Sequence, residues 1–194
     1  MDSTNNNCLI IAGVSGTGKS TLINEIKINI PNKFNKNDIL KINKLFKWIN
    51  KNTKTYHSDH YLLIQNDFKE DLIIHFDILS TPISKMNLPL KKIRKNFKNI
   101  YMIYIDNATE ILISRTIYRN KKLYLKSKPM NPIYLYEDMY NDTKKIRKNL
   151  IDFLFYLINK INLNNVYILN NDKNEPNFKE VSKVENKWIF PDTN

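Results

Sequence analysis

The sequence predicts an α/β fold of three layers, with a mostly parallel central sheet sandwiched between helices. Three observations carry this. Short runs that are apolar on both faces recur along the chain, helical patterns alternate with them, and the best-defined runs end in a glycine or an aspartate. Strands apolar on both faces suit a parallel sheet covered on both sides, and alternation of strand and helix is the pattern that builds one. Ligands of such sheets sit beyond the C-terminal strand ends.

The elements follow in order. Cys8–Ala12 is a buried strand leading directly into a glycine-containing loop. From Lys19, apolar residues at Leu22, Ile23, Ile26 and Ile30 recur at helical spacing, and Pro31 stops the helix. Ile39, Ile42, Leu45, Phe46 and Ile49 predict a second helix. Residues 51–70 show little pattern beyond a short strand around Thr53–His57. The runs Leu72–Phe76 and Ile100–Ile105 are core strands ending at Asp77 and Asp106. Asn107 followed by Glu110 reads as a capping-box-like start of a helix reaching about Asn120. Residues 121–140 are basic and tyrosine-rich, carry Pro129 and Pro132, and read as a loop or lid. Ile146, Leu150, Leu154, Leu157, Ile158 and Ile161 mark a long amphipathic helix. Val166–Leu169 is a last core strand, and Trp188, Ile189 and Phe190 in the tail are expected to pack back onto the body.

A chain of 194 residues suits one domain, 1–194, and 42% hydrophobic with 26% charged residues fits a globular protein. No apolar run approaches the ~20 residues of a membrane span. The N-terminus lacks the pattern of a secretory signal, and the single Cys8 reads as a small core hydrophobe, so a cytoplasmic, reducing setting is expected. The net charge of +12 raises nucleic acid as a partner. Only Arg94, Arg115, Arg119 and Arg147 are arginine, however, and the lysines are scattered among Asn and Ile, as AT-rich codon usage would produce. Solvated surface charge is therefore the favoured reading.

The chemistry concentrates in Gly13-Val14-Ser15-Gly16-Thr17-Gly18-Lys19-Ser20, which matches G-x-x-x-x-G-K-[ST] at every fixed position. Glycine lets backbone N–H groups approach phosphate oxygens, and the start of the following helix adds further N–H groups and a positive dipole end. In this motif Lys19 neutralises the β- and γ-phosphates and the Ser20 hydroxyl binds Mg2+, while Thr21 is placed for the α-phosphate. The chain holds only three glycines, and all three lie here.

The segment AGVSGTGKSTL resembles the Walker A segment of P-loop small-molecule kinases, a group that includes gluconate, guanylate and adenylate kinases. The resemblance is specific over about the first 25 residues and is one of pattern beyond them. It implies a P-loop kinase-like domain that uses ATP and Mg2+. It also implies that Asp77, at a strand end, is a metal contact or general base. The segment IYMIYIDNATEILISRTIYR resembles the strand-then-helix segment that leads into the lid in these kinases. There a late helical arginine reaches the nucleotide phosphates, which points to Arg115 and Arg119, four apart on one helix face. The guanylate kinase nucleobase segment, the adenylate kinase D-G-F-P-R signature and the shikimate kinase glycine triplet are absent, so no acceptor is inherited from any of them.

His75 reads as a satisfied core histidine, and His57-Ser-Asp-His60-Tyr61 as a polar loop without standard zinc spacing. The expected activity is transfer of the ATP γ-phosphoryl group to a small-molecule acceptor, with Lys19, Asp77, Arg115 and Arg119 catalytic and Ser20 with Asp77 on the metal. The competing readings are a nucleotide-dependent ATPase or switch, a nucleic-acid-binding kinase of polynucleotide ends, and a sulfotransferase-like relative. The intact Gly18-Lys19-Ser20 disfavours the last.

Overall fold

The computed structural model describes residues 6–14, 16–57, 68, 70–77, 87–107, 109–126, 163–171, 176–184 and 187–189. Ser15, His60, Tyr61, Phe190, most of the basic 121–140 segment and the helix expected from Ile146 to Ile161 lie outside them.

Six strands form the main sheet: β1 (Asn7–Gly13), β2 (Lys54–His57), β3 (Leu72–Asp77), β4 (Asn99–Asp106), β5 (Asn165–Asn170) and β6 (Phe178–Glu180). Their order is β2-β3-β1-β4-β5-β6. The first five run parallel and β6 is antiparallel to β5. Four helices are described: α1 (Lys19–Ile28), α2 (Lys36–Leu45), α3 (Asn87–Asn96) and α4 (Thr109–Leu125). A separate hairpin pairs β7 (Ser182–Val184) with β8 (Lys187–Ile189), which holds Trp188 and Ile189.

Alternation along β1 explains the layering. Cys8, Ile10 and Ala12 face one side, where they join Ile74, Met102, Val166 and, from and just past α3, Ile93 and Phe97. Leu9 and Ile11 face the other side, where they meet Leu22, Ile23 and Ile26 of α1 and Ile39 and Ile42 of α2. Fully burying one such aliphatic side chain contributes about 1.5–3 kcal/mol, so the two faces together clamp the central strands firmly. Cys8 belongs to this core, and burial pushes its thiol pKa up from the ordinary value.

The helix ends have local causes. α1 stops where Asn29 adopts a left-handed φ of 55° and its N–H reaches the Glu25 carbonyl, so Ile30 falls outside the helix and is exposed. α2 begins on an Asn35 cap whose side chain accepts from the Asn37 N–H. Phe46 caps its C-terminus, and Ile49, expected on its stripe, lies beyond the helix yet is buried in the same core. α4 runs to Leu125, a turn beyond the expected end. Two buried carboxylates tie the layers together. Glu25 accepts from the N–H groups of Lys33 and Phe34 at 2.7 and 3.1 Å. Asp38 accepts from Asn177 and Phe178 at 3.0 and 3.1 Å, which fixes β6 to α2.

β1 is flanked by β3 on one side and β4 on the other. From β1 the chain proceeds to β2 at one edge, whereas from β4 it proceeds to β5 on the opposite side. This reversal makes the C-terminal end of β1 the switch point where such sheets bind ligands.

Candidate phosphate-binding site

The loop between β1 and α1 occupies that switch point. Gly16 and Gly18 have φ values of 86° and 100°, which L side chains rarely adopt. Gly13 is needed for a different reason. A Cβ there would lie 2.7 Å from Thr17 Oγ1 and 3.1 Å from the Ile105 carbonyl oxygen. Thr17 is fully buried, and both its N–H and its hydroxyl donate to the Val14 carbonyl, at 3.3 and 3.0 Å.

Lys19 opens α1 but does not extend into solvent. Its side chain folds back across the loop, and Nζ donates to the carbonyls of Gly13 and Val14 at 2.9 and 2.8 Å. The residue is only 4% exposed, so a formal positive charge is held inside the loop by carbonyl oxygens. The N-cap is Gly18, which offers no side-chain oxygen, and the first turn of α1 carries no acidic residue. A helix N-terminus with that composition presents N–H groups and a positive dipole end, the arrangement that favours an anionic ligand.

The loop carbonyls meet a second set of groups. Arg115 Nη1 reaches the Gly16 and Thr17 carbonyls at 3.3 and 3.4 Å and donates to Asn107 Oδ1 at 3.1 Å. Asn107 Nδ2 and Asn171 Nδ2 also donate to the Thr17 carbonyl, at 3.3 and 3.1 Å. Burial pulls the Arg115 pKa down from its ordinary value, although a guanidinium stays charged. Asn107 does not cap a helix as the sequence reading expected. α4 starts two residues later, at Thr109, and the Asn107 amide bridges Arg115 to the loop instead. Arg119, one turn beyond Arg115, is exposed.

Ser20 is exposed in the first turn of α1, and its Oγ lies 3.2 Å from His75 Nε2. His75 is therefore not the core histidine that the sequence suggested. It is half-buried at the C-terminal end of β3, and its ring lies 4.4 Å, centroid to centroid, from that of His57, its register partner on β2. The Ser20 hydroxyl supplies an oxygen, the donor type that Mg2+ takes. Asp77 ends β3 in register with Gly13. Among the described residues, no group of three or more His, Cys, Asp or Glu forms a metal cluster. No described helix is long and apolar enough to cross a membrane.

Val14 is buried, and Thr21 is half-buried in the first turn of α1. Asn171 and Phe34 escaped the sequence reading. The Phe34 ring and Asn171 Nδ2 would both lie 3.3 Å from a Cβ on Gly18, so the two residues flank that glycine. One signal was available. Asp106 and Asn170 pair at the ends of β4 and β5, so Asn107 and Asn171 are each the first residue past a strand at the ligand-binding edge.

The chain has an α/β P-loop fold. No protein-family model matches it, and no curated protein does. Solved structures resemble it at low identity. One is from the PezAT chromosomal toxin–antitoxin system of Streptococcus pneumoniae (15% identity, TM-score 0.49, 89% of this chain and 70% of that one). Another is a gluconokinase from Sinorhizobium meliloti (13%, TM-score 0.35, 74% and 75%). A third is a de novo designed P-loop fold protein (10%, TM-score 0.30, 76% and 96%). At such identities and scores they say nothing about what this chain binds or does.

Proposed function

We propose that the chain binds ATP with Mg2+ at the 13–21 loop and transfers the γ-phosphoryl group to a small-molecule acceptor. The observation that carries this is the buried Lys19 ammonium, held across a loop whose following helix lacks both a side-chain cap and an acidic first turn. A buried ammonium beside an uncapped helix N-terminus is an arrangement that favours an anionic ligand. The loop N–H groups and Lys19 would bind the β- and γ-phosphates, and Ser20 with Asp77 would hold Mg2+, which would supply charge neutralisation for phosphoryl transfer.

The reaction breaks the bond between the γ-phosphorus and the β–γ bridging oxygen and forms one to an acceptor oxygen. ADP leaves with the bridging oxygen, and the proton of a hydroxyl acceptor passes to Asp77 or to water. Charge builds on the transferring group, and a guanidinium stabilises it. Arg115 is engaged with the loop carbonyls, which leaves exposed Arg119 as the arginine of α4 for that role.

The test is Mg2+-dependent ATP turnover across a panel of nucleoside monophosphates, sugars and small acids, with Lys19→Ala as control. One acceptor should raise turnover many-fold, and the variant should lose at least ~100-fold, the scale of removing a principal electrostatic group. ATP hydrolysis that no acceptor stimulates would replace the kinase reading with an ATPase or switch. Normal ATP use by the variant would remove the site itself.

A further inference from the structure

We propose that Arg115, Asn107 and Asn171 are positioning residues that lock the Thr17–Gly18 peptide in one orientation and so aim the Gly18 N–H into the phosphate cradle. This rests on the triphosphate reading of the loop.

The argument begins with the freedom glycine brings. Turning over the Thr17–Gly18 peptide changes φ of Gly18 by about half a turn, from its observed 100° to a negative value. Glycine tolerates both conformations, so residue 18 does not choose between them. The choice matters chemically. A trans peptide points its C=O and N–H in opposite directions, and the described chain contains no cis bond. In one orientation the loop offers a phosphate an N–H donor. In the other it offers a carbonyl oxygen, which repels it.

Three side chains make the choice. The Thr17 carbonyl accepts from Asn171 Nδ2 at 3.1 Å, Asn107 Nδ2 at 3.3 Å and Arg115 Nη1 at 3.4 Å. These donors come from three places in the sequence: the residue after β5, the residue after β4, and α4. The same Arg115 nitrogen reaches the Gly16 carbonyl at 3.3 Å and ties Asn107 into the group through its Oδ1 at 3.1 Å. A single carbonyl seldom gathers three donors, and it has two lone pairs to offer them. Turning the peptide over would forfeit all three contacts. It would also strand the Asn107 and Asn171 amides beside the loop, and Asn107 is buried. Donors on a carbonyl also polarise its amide, which makes the N–H on the far side a better donor.

The chain supplies a clean probe. It contains three glycines, all in the loop, so a protein labelled with 15N-glycine gives three amide signals. The amide nitrogen of Gly18 reports hydrogen bonding at the Thr17 carbonyl in the free protein, before any nucleotide is added. Asn171→Leu keeps the size of the side chain and removes its donor. Arg115→Met removes the guanidinium, and Arg115→Lys restores a cation and a donor. We expect the Gly18 nitrogen signal to move upfield in Asn171→Leu and Arg115→Met, with Gly13 stationary, and to return part-way in Arg115→Lys. Adding ADP with Mg2+ should then reveal a Kd raised about fivefold for each donor lost, the usual value of one hydrogen bond.

If the Gly18 signal is unmoved in both Asn171→Leu and Arg115→Met, or if ADP binds both as tightly as the parent, the positioning role is wrong. If the parent protein binds no ADP, the triphosphate reading fails, yet the Gly18 shift in the free protein still decides whether the side chains hold the peptide. Should Asn171→Leu fail to fold, as a thermal melt would show, the arginine pair gives the same readout.

Discussion

Gly13→Ala is the perturbation whose cost the structure specifies most closely. Its new methyl would meet Thr17 Oγ1 at 2.7 Å, the Ile105 carbonyl oxygen at 3.1 Å and Thr17 Cβ at 3.4 Å. Thr17 is fully buried and cannot swing away without breaking its 3.0 Å bond to the Val14 carbonyl. Overpacking of about 1–3 kcal/mol and a lost bond of ~1 kcal/mol give about 2–4 kcal/mol for the single variant. Thr17→Ala alone should cost about 1–2 kcal/mol, from that bond and a small void. The Val14 carbonyl still has the residue-17 N–H and Lys19 Nζ as donors. In the double variant the 2.7 Å contact is gone and only the two longer ones remain. Its cost should therefore fall short of the sum of the singles by about 1–2 kcal/mol, the coupling expected for touching residues. Urea denaturation of the four proteins measures this, and a shift of roughly 2–4 °C per kcal/mol in the thermal midpoint gives a second reading. Costs that add to within ~0.5 kcal/mol would refute the claim that Gly13 is required by its approach to Thr17.

Two further outcomes follow from the same structure. Glu25→Ala strips the N–H groups of Lys33 and Phe34 of their buried carboxylate acceptor and should destabilise the protein by about 2–4 kcal/mol. Glu25→Gln, which keeps an acceptor oxygen, should cost less, and urea midpoints that rank the two equally would show that the carboxylate is not holding that segment. Tyr167 has its pKa pushed up from 10.0 to about 12, chiefly by burial and then by the negative charge of Glu180, with Tyr101 adding to it. Its phenol ionises in the unfolded chain before it does in the folded one. Its contribution to stability is therefore whole below pH 10 and is lost as pH rises from there toward about 12. Urea midpoints should decline across that range and decline less in Tyr167→Phe, and parallel profiles would assign the decline to other groups.

Strands and loop were legible in the sequence because their signals are local. Cys8–Ala12, Leu72–Phe76 apart from His75, and Ile100–Ile105 are apolar on both faces, and each puts buried residues on both faces of the sheet. The loop residues carry their own geometric requirement for glycine. α3 was not legible. Pro89 lies in its first turn, where proline is tolerated, and the last six residues, Lys91–Asn96, include only one buried residue, Ile93, so no apolar stripe marks the helix. β6 was not legible either. It is three residues long and is anchored by Asp38, about 140 residues away. The site divides in the same way. Lys19 and Ser20 follow from spacing. Asn107 and Asn171 act on a carbonyl 90 and 154 residues away, which no local pattern encodes. Asn107 reads as a helix cap because Glu110 follows it at capping-box spacing, a local pattern that says nothing of the distant Thr17 carbonyl. His75 reads as a core histidine, whereas its ring is half-buried near the C-terminal end of β3 beside Ser20.

These long-range contacts explain how a glycine loop can be held rigid. Each glycine adds backbone freedom to the unfolded chain that folding must remove, at roughly 0.5–1 kcal/mol relative to alanine. The same freedom would let a folded loop sample orientations that present carbonyls to an anion. The neighbours of each loop position limit it. Thr17 fills the space against Gly13, Phe34 and Asn171 close on Gly18, and the Arg115–Asn107–Asn171 group holds the Gly16 and Thr17 carbonyls. Lys19 closes the loop from within by bonding Gly13 and Val14. The conformational cost is met in folding, by contacts that exist without ligand, so a phosphate would meet donors already in place and little of its binding energy would go to ordering the loop. A glycine-poor chain gains from this division. It places its three glycines where only glycine fits, and then restrains them with side chains drawn from the ends of two other strands and from α4.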